Sequence, residues 1–373
     1  MDPIGNDVSS FERHLFQRAG MNHIPIYGVL ELLPLCNLCC DMCYIRMNRK
    51  DMEAKGRLRS LEEWISLAEE MKQAGTLFLL LTGGEPLLYP DFKKLYTELQ
   101  KMGMILTINT NGTLIDEAWA DFFAKQKPRR INITLYGASN QTYEILCHTA
   151  NGFDHALHGI HLLKERGIDV KINGSLAKAN IDDRRKIIEI GEQLDIPVRI
   201  DTYMYPTVRE RSCSYNFQSR LDPESAAKAR IDVLHREMGD ELFSIYVKET
   251  LDKIQMAEDT PPTTGCMTCR AGKSSFVINW QGHMRACVVL DQPDIPVFET
   301  GFQTAWEKII QETEKIRISR ECTQCKYRYV CNNCPASAMA ECGSYDAVPD
   351  YLCRYTKTSV QWIQQCFNNK NIE

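Results

Sequence analysis

The distribution of cysteine constrains this chain more than any other feature. Sixteen cysteines occur in 373 residues, four of them within Cys36–Cys43 and nine between Cys266 and Cys353. Only Cys147, Cys213 and Cys366 lie elsewhere. The first residues, Met1-Asp-Pro-Ile-Gly-Asn-Asp, have neither the basic stretch nor the apolar run of an export signal, so a cytoplasmic location is expected. Thiols stay reduced there, and a disulfide framework is not the reading. Soft thiolates in that setting hold zinc or iron–sulfur clusters. The sequence therefore predicts two metal-rich regions flanking about 220 residues nearly free of cysteine.

The intervening stretch has a regular rhythm of short apolar runs and amphipathic segments. Tyr27–Leu33 is followed by Leu61–Ala74, Thr76–Thr82 by Asp91–Met102, and Met104–Asn109 by Asp116–Lys125. Ile131–Leu135 precedes Phe153–Arg166, Val170–Leu176 precedes Asp182–Leu194, and Pro197–Thr202 closes the series. Such alternation predicts βαβ units and a parallel sheet. Six units are too few for an eightfold barrel, so an α/β partial (β/α)6 barrel is expected, with a smaller cysteine-rich C-terminal domain. The expected boundaries are an N-terminal segment 1–26, the partial barrel 27–221, a helical bridge 222–259 read as two helices, and the cysteine-rich domain 260–373. A formal charge of −5 excludes a global basic field for nucleic acid. No apolar run reaches the roughly 20 residues that cross a bilayer, so no membrane partner is expected.

Each motif of the barrel half falls where a strand should end, which is where α/β folds place their active sites. Cys36–Cys43 follows the first strand, Gly83-Gly84-Glu85-Pro86 the second, Asn109-Thr110-Asn111-Gly112 the third and Tyr136-Gly137-Ala138-Ser139 the fourth. Cys36, Cys40 and Cys43 form C-x3-C-x2-C. Three thiolates leave one iron of a four-iron cluster without a protein ligand, whereas a structural zinc site would need a fourth donor, for which Cys39 is the nearest candidate.

These residues resemble the radical S-adenosylmethionine (radical SAM) family, which carries C-x3-C-x2-C after its first strand and Gly-Gly-Glu-Pro after its second. The resemblance implies a 4Fe–4S cluster on Cys36, Cys40 and Cys43, with Cys39 an extra thiol. It implies S-adenosylmethionine chelated at the open iron, cleaved by one electron to a 5′-deoxyadenosyl radical that abstracts hydrogen from substrate. Gly83 and Gly84 would let the backbone approach the methionine ammonium, with Glu85 as a negative partner. Asn109, Thr134 and Ser175 are candidates for the ribose and carboxylate. Met42 stands where the family usually has an aromatic, and Tyr44 follows the third cysteine instead.

In the C-terminal block, Cys266-x2-Cys269 is followed by Gly282-x4-Cys287, then by Cys322-x2-Cys325-x5-Cys331-x2-Cys334, Cys342 and Cys353. Paired C-x2-C motifs alone also read as zinc ribbons. The order resembles the SPASM extension of radical SAM enzymes, with two residues rather than three between Cys331 and Cys334. That resemblance implies two auxiliary 4Fe–4S clusters, the first on Cys266, Cys269, Cys287 and Cys334, the second on Cys322, Cys325, Cys331 and Cys353. Cys342 is an alternative ligand.

SPASM-bearing enzymes mostly modify peptides, so the resemblance implies a ribosomal-peptide maturase that installs a thioether or carbon–carbon crosslink or a related change. A small-molecule alcohol or sugar dehydrogenase or epimerase is the alternative, and a zinc-stabilised interaction protein a third. Val288, directly after Cys287, stands where the sulfatase-maturating branch has an acidic residue. Only 35 residues precede Cys36, so leader recognition is expected to need a separate leader-binding protein or another surface, such as a cationic face bearing Arg209, Arg211 and Arg220. The expected partners are thus a precursor peptide and an electron donor such as flavodoxin or ferredoxin. Cys213 is a candidate catalytic hydrogen donor or thiyl relay.

Overall fold

The computed structural model describes residues 10–205 and 219–370. Its frame is a single nine-stranded sheet in the order β6-β5-β4-β3-β2-β1-β7-β8-β9. The six parallel strands are β1 (Tyr27–Glu31), β2 (Phe78–Thr82), β3 (Ile105–Thr110), β4 (Arg130–Leu135), β5 (Val170–Ser175) and β6 (Val198–Asp201). Between them run α2 (Arg49–Lys55), α3 (Leu61–Gln73), α4 (Phe92–Lys101), α5 (Glu117–Lys125), α6 (Asn140–Cys147), α7 (Gly152–Glu165) and α8 (Arg184–Leu194), with α1 (Ser10–Met21) ahead of β1. The alternation expected from the sequence is thus present, with ends shifted by one or two residues.

The helices form for local reasons that the sequence carries. In α3, Ser60 and Glu63 close a capping box, and Trp64, Leu67, Ala68 and Met71 make the buried stripe of a 3.6-residue repeat. Asp116 and Ser139 cap α5 and α6 by accepting from Trp119 and Thr142 backbone N–H groups. In β3, β4 and β5, buried and half-buried residues alternate. The buried set (Leu106, Ile108, Ile131, Ile133, Val170, Ile172) packs in the main core. Apart from Ile105 the alternate set is polar: Thr107, Asn109, Arg130, Asn132, Thr134, Lys171, Asn173 and Ser175. One face of the curved sheet is therefore hydrophobic and the other is a wettable, hydrogen-bonding wall.

The C-terminal strands continue this sheet. β7 (Ser275–Ile278) pairs in parallel with β1, placing Ser275 opposite Tyr27, and β8 (His283–Arg285) and β9 (Ile295–Pro296) follow antiparallel. Gly28 makes this junction possible, because a Cβ there would stand 2.6 Å from the Phe276 ring. The main core runs through the junction, joining Leu30 and Leu79 to Phe276, Met284, Phe302 and Trp306.

Residues 223–259 form α9, two helical stretches meeting at Gly239, whose φ of 69° interrupts the helix. After β9 come α10 (Val297–Thr300), α11 (Phe302–Thr313), α12 (Arg320–Gln324), α13 (Pro335–Cys342) and α14 (Asp350–Lys370). A second apolar cluster (Ile231, Leu234, Phe243, Val247, Ile363) packs α9 against α14.

Candidate active site

The loop 36–43 lies just beyond β1 and has no regular structure of its own, so specific bonds fix it. Met47 N–H donates to Pro34 O at 2.9 Å, and Cys43 N–H to Cys40 O at 3.1 Å. Backbone amides also point at two of the sulfurs, Leu38 N–H at Cys36 Sγ (3.4 Å) and Arg46 N–H at Cys43 Sγ (3.3 Å). Asn111, at the end of β3, donates to Asn37 Oδ1 at 2.9 Å and reaches Cys36 Sγ at 3.7 Å. Burial, then the nearby Glu85 carboxylate, Cys43 and Cys40, push the Cys36 thiol up to about 12, with the Leu38 N–H opposing. Clustered thiols that resist ionisation are the donor set that a bound cation converts to thiolates.

The Gly83-Gly84 turn is bonded to the residues that lead from β1 into this loop. Gly84 N–H donates to Leu33 O at 2.7 Å and Glu85 N–H to Leu35 O at 2.9 Å, extending the β1–β2 ladder past its last paired residues. With the backbone as it stands, a Cβ on Gly83 would lie 2.5 Å from Leu33 O, and one on Gly84 2.3 Å from Leu35 O. The two glycines are thus required by the approach of the protein's own backbone, with Gly83 also at a φ of 148°.

Glu85 is placed differently from its expected role as a partner of the cofactor ammonium. It is fully buried, and its two oxygens accept from Thr110 Oγ1 (2.8 Å), Leu87 N–H (3.1 Å) and Asn111 N–H (2.9 Å). Burial raises its pKa to about 7 against these donors. It ties the β2 and β3 turns together and faces no open space.

Asn109, Thr134 and Ser175 all lie on the polar wall, Asn109 accepting from Asn132 Nδ2 at 2.7 Å. Sequence reasoning passed over Asn132 and Asn173 on the same wall, although both carry the same signal of a polar residue at alternate positions in an apolar strand. It also passed over Glu31, wholly buried in β1 and accepting from the Tyr44 hydroxyl at 3.1 Å, so that Tyr44 is anchored to the sheet. Tyr136 opens the motif expected after the fourth strand and stands directly after β4. Burial and the neighbouring Cys40, Cys147, Cys43 and Cys36 hold its phenol well above the usual range.

In the C-terminal region the thiols gather in two sets. Cys322, Cys325 and Cys353 neighbour Cys331, and burial, then these thiols, push it up to about 11 while the Thr356 hydroxyl donates to its sulfur at 3.3 Å. Cys269, Cys287 and Cys334 form the other set. The structure departs from expectation at Cys266. Its backbone is held in an antiparallel bridge with Arg317 and the residue is exposed, as Cys269 is. Cys342 is also exposed and points its thiol toward Val348 O. Among the described residues no three Cys, His, Asp or Glu side chains close on a point as they would around a single ion. A four-iron cluster instead takes one ligand at each corner.

Arg220 differs from its reading as part of a cationic face. It is buried, paired with Glu341 at 2.9 Å and stacked on Tyr351 with its guanidinium carbon 3.5 Å from the ring centre. Arg209, Arg211 and Cys213 lie outside the described residues.

Residues 30–190 match the Radical SAM superfamily. That stretch is a radical SAM domain. The radical SAM family implies S-adenosylmethionine and a 4Fe–4S cluster. Among curated proteins, the radical SAM chain is 26% identical to Fe-coproporphyrin III synthase of Methanosarcina barkeri over 96% of its own length and 95% of that protein's. It is 23% identical to the subtilosin biosynthesis protein AlbA of Bacillus subtilis, over 89% of its length and 71% of AlbA. Among solved structures, anSMEcpe with bound AdoMet superposes with a TM-score of 0.71 at 20% identity, covering 94% of this chain and all of that one. Streptococcus suis SuiB bound to its precursor peptide SuiA superposes with a TM-score of 0.67 at 17% identity, covering 91% and 79%.

Proposed function

We propose that the protein cleaves S-adenosylmethionine reductively and uses the resulting radical to modify a ribosomally made peptide. The observation that carries the cleavage step is the bonding of the Gly83-Gly84-Glu85 turn to Leu33 and Leu35, the residues that lead from β1 into the Cys36–Cys43 loop. When bound, a 4Fe–4S cluster on Cys36, Cys40 and Cys43 and S-adenosylmethionine at its open corner would supply a 5′-deoxyadenosyl radical that takes hydrogen from substrate. The protein's part is orientation. Leu38 and Arg46 amides stabilise charge on two of the sulfurs, carbonyl oxygens of the glycine turn are the acceptors an ammonium needs, and Asn109, Thr134 and Ser175 offer hydrogen bonds along the polar wall.

The thiol sets of the C-terminal region would hold two auxiliary clusters, the first on Cys269, Cys287 and Cys334 with Cys266 as the candidate fourth ligand. These would pass electrons between substrate and a donor such as flavodoxin or ferredoxin. A peptide substrate is supported by AlbA and by the peptide-bound SuiB. A second reading, oxidation of a small molecule, is supported by the near full-length similarity to Fe-coproporphyrin III synthase, and makes a tetrapyrrole its first substrate to try.

The test is anaerobic reconstitution followed by iron and sulfide counting, with about twelve irons per chain expected for three cubanes. Dithionite and S-adenosylmethionine should then release 5′-deoxyadenosine. A mass change in a peptide encoded beside the gene supports the maturase reading, and a changed iron porphyrin with an unchanged peptide supports the second. No 5′-deoxyadenosine under these conditions would defeat both.

A further inference from the structure

The cysteines read as cluster ligands are not equally sheltered. Cys266 and Cys269 are exposed residues, and the others are half-buried or buried. Cys269 also lines a surface cleft of about 340 Å³ between α1 and residues 268–274. Arg13 and Gln17 border it from α1, and Arg270 and Lys273 from the cysteine side. Three of these four are cations, and among the described residues no Asp or Glu lines the cleft. Two of the cations are held in place. The Arg270 guanidinium carbon stands 4.3 Å from the centre of the Phe16 ring, and Lys273 Nζ donates to Met267 O at 2.5 Å. Neither contact cancels a charge. Glu12, beside Arg13 in sequence, is paired with Arg129 at 2.8 Å. The cleft thus joins a positive field to an exposed residue of the first auxiliary thiol set.

We propose that this cleft docks a small acidic electron-transfer protein, which passes one electron to the auxiliary cluster held by Cys269. This rests on the reading of Cys269 as a cluster ligand. In the step the reduced carrier loses the electron that the cluster gains, and no bond is made or broken. Charge complementarity identifies the partner, since carboxylates on its surface meet Arg13, Arg270 and Lys273 and steer the encounter. A small patch suffices, because redox encounters bury less than about 1,200 Å² in total.

The experiment mixes the full chain, reconstituted without oxygen, with reduced flavodoxin, an acidic flavoprotein, and follows the bleaching of cluster absorption by stopped flow. At low salt Arg270→Glu and Arg13→Glu should each slow this bimolecular reduction roughly tenfold. The difference should vanish at about 1 M salt, where charges on two proteins no longer reach each other. Arg13 lies on α1, so its variant leaves the cysteine segment unaltered. Arg270→Lys should keep most of the wild-type rate, and Lys164→Glu, exposed on α7, should keep all of it. Reduced methyl viologen, a small cation, should show no slowing with any variant. Equal flavodoxin rates for wild type and both Glu variants would overturn the proposal. So would the same slowing in Lys164→Glu, which would trace the effect to net charge, or slowing with methyl viologen as well, which would trace it to the cluster. Cys269→Ala tests the underlying reading separately. Loss of about four irons per chain upholds that cluster, and full retention of iron removes it whatever the docking rates show.

Discussion

The carboxylate of Glu85 accepts the backbone N–H of Asn111 at 2.9 Å, fastening the turn after β2 to the turn after β3. With Thr110 and Leu87 also donating, three donors converge on one buried side chain. Glu85→Gln puts an NH2 where one donor needs an acceptor and should lower stability by about 1–3 kcal/mol. The pH dependence has a definite sign. The folded-state pKa is raised from 4.5 to about 7, so between those values the folded protein holds a proton that the unfolded chain releases. The contribution of Glu85 to stability therefore falls as pH rises through that window and is level above it. Urea unfolding of wild type and Glu85→Gln at several pH values checks this, the gap between them narrowing with rising pH.

Gly84→Ala places its Cβ against a backbone carbonyl that cannot move without carrying the cysteine loop with it. A loss of about 1–3 kcal/mol is expected from overpacking alone, together with reduced iron retention. Gly103→Ala, with no atom within 4 Å of the new carbon, should show only the modest strain of its positive φ. Thermal melts and iron content of the two variants separate crowding from backbone strain.

Substitution of single thiols should divide the chain's redox chemistry into parts. Cys36→Ala, Cys40→Ala and Cys43→Ala should each abolish 5′-deoxyadenosine formation, whereas Cys39→Ala should retain it. Cys331→Ala should lower iron by about four per chain, one cubane, and leave cofactor cleavage in place. Equal loss in all four N-terminal variants would mean that the ligands are misassigned.

Arg220→Met removes one half of a buried pair and leaves the Glu341 charge without its partner, at an expected cost of about 3–5 kcal/mol. The double variant Arg220→Met with Glu341→Leu should recover much of that loss. Denaturant midpoints of the two variants provide the comparison.

The barrel half was legible because its signals are local. An apolar run of five or six residues and a stripe such as Trp64, Leu67, Ala68 and Met71 can be read without knowing what they pack against. The cysteine spacings were legible for the same reason. The remainder depends on partners distant in sequence. Arg220 reads as a solvated cation until Glu341, 121 residues later, is placed beside it. Glu85 reads as a binding group until Thr110 and Asn111 close over it. The strands β7–β9 have four, three and two residues, too short for any alternation to show. The helix α6 was hidden by its eight-residue length, and its end is bonded through backbone groups to a loop about a hundred positions earlier.

The pairing of β1 with β7 has a consequence during synthesis. Tyr27 emerges from the ribosome almost 250 residues before Ser275, its neighbour in the finished sheet. Throughout that interval the nascent chain presents Gly28-Val-Leu as an open, apolar border, a template for wrong pairing. Chaperone occupancy on translating polysomes should consequently persist past the sixth strand and fall only once the codons for 275–278 have been read.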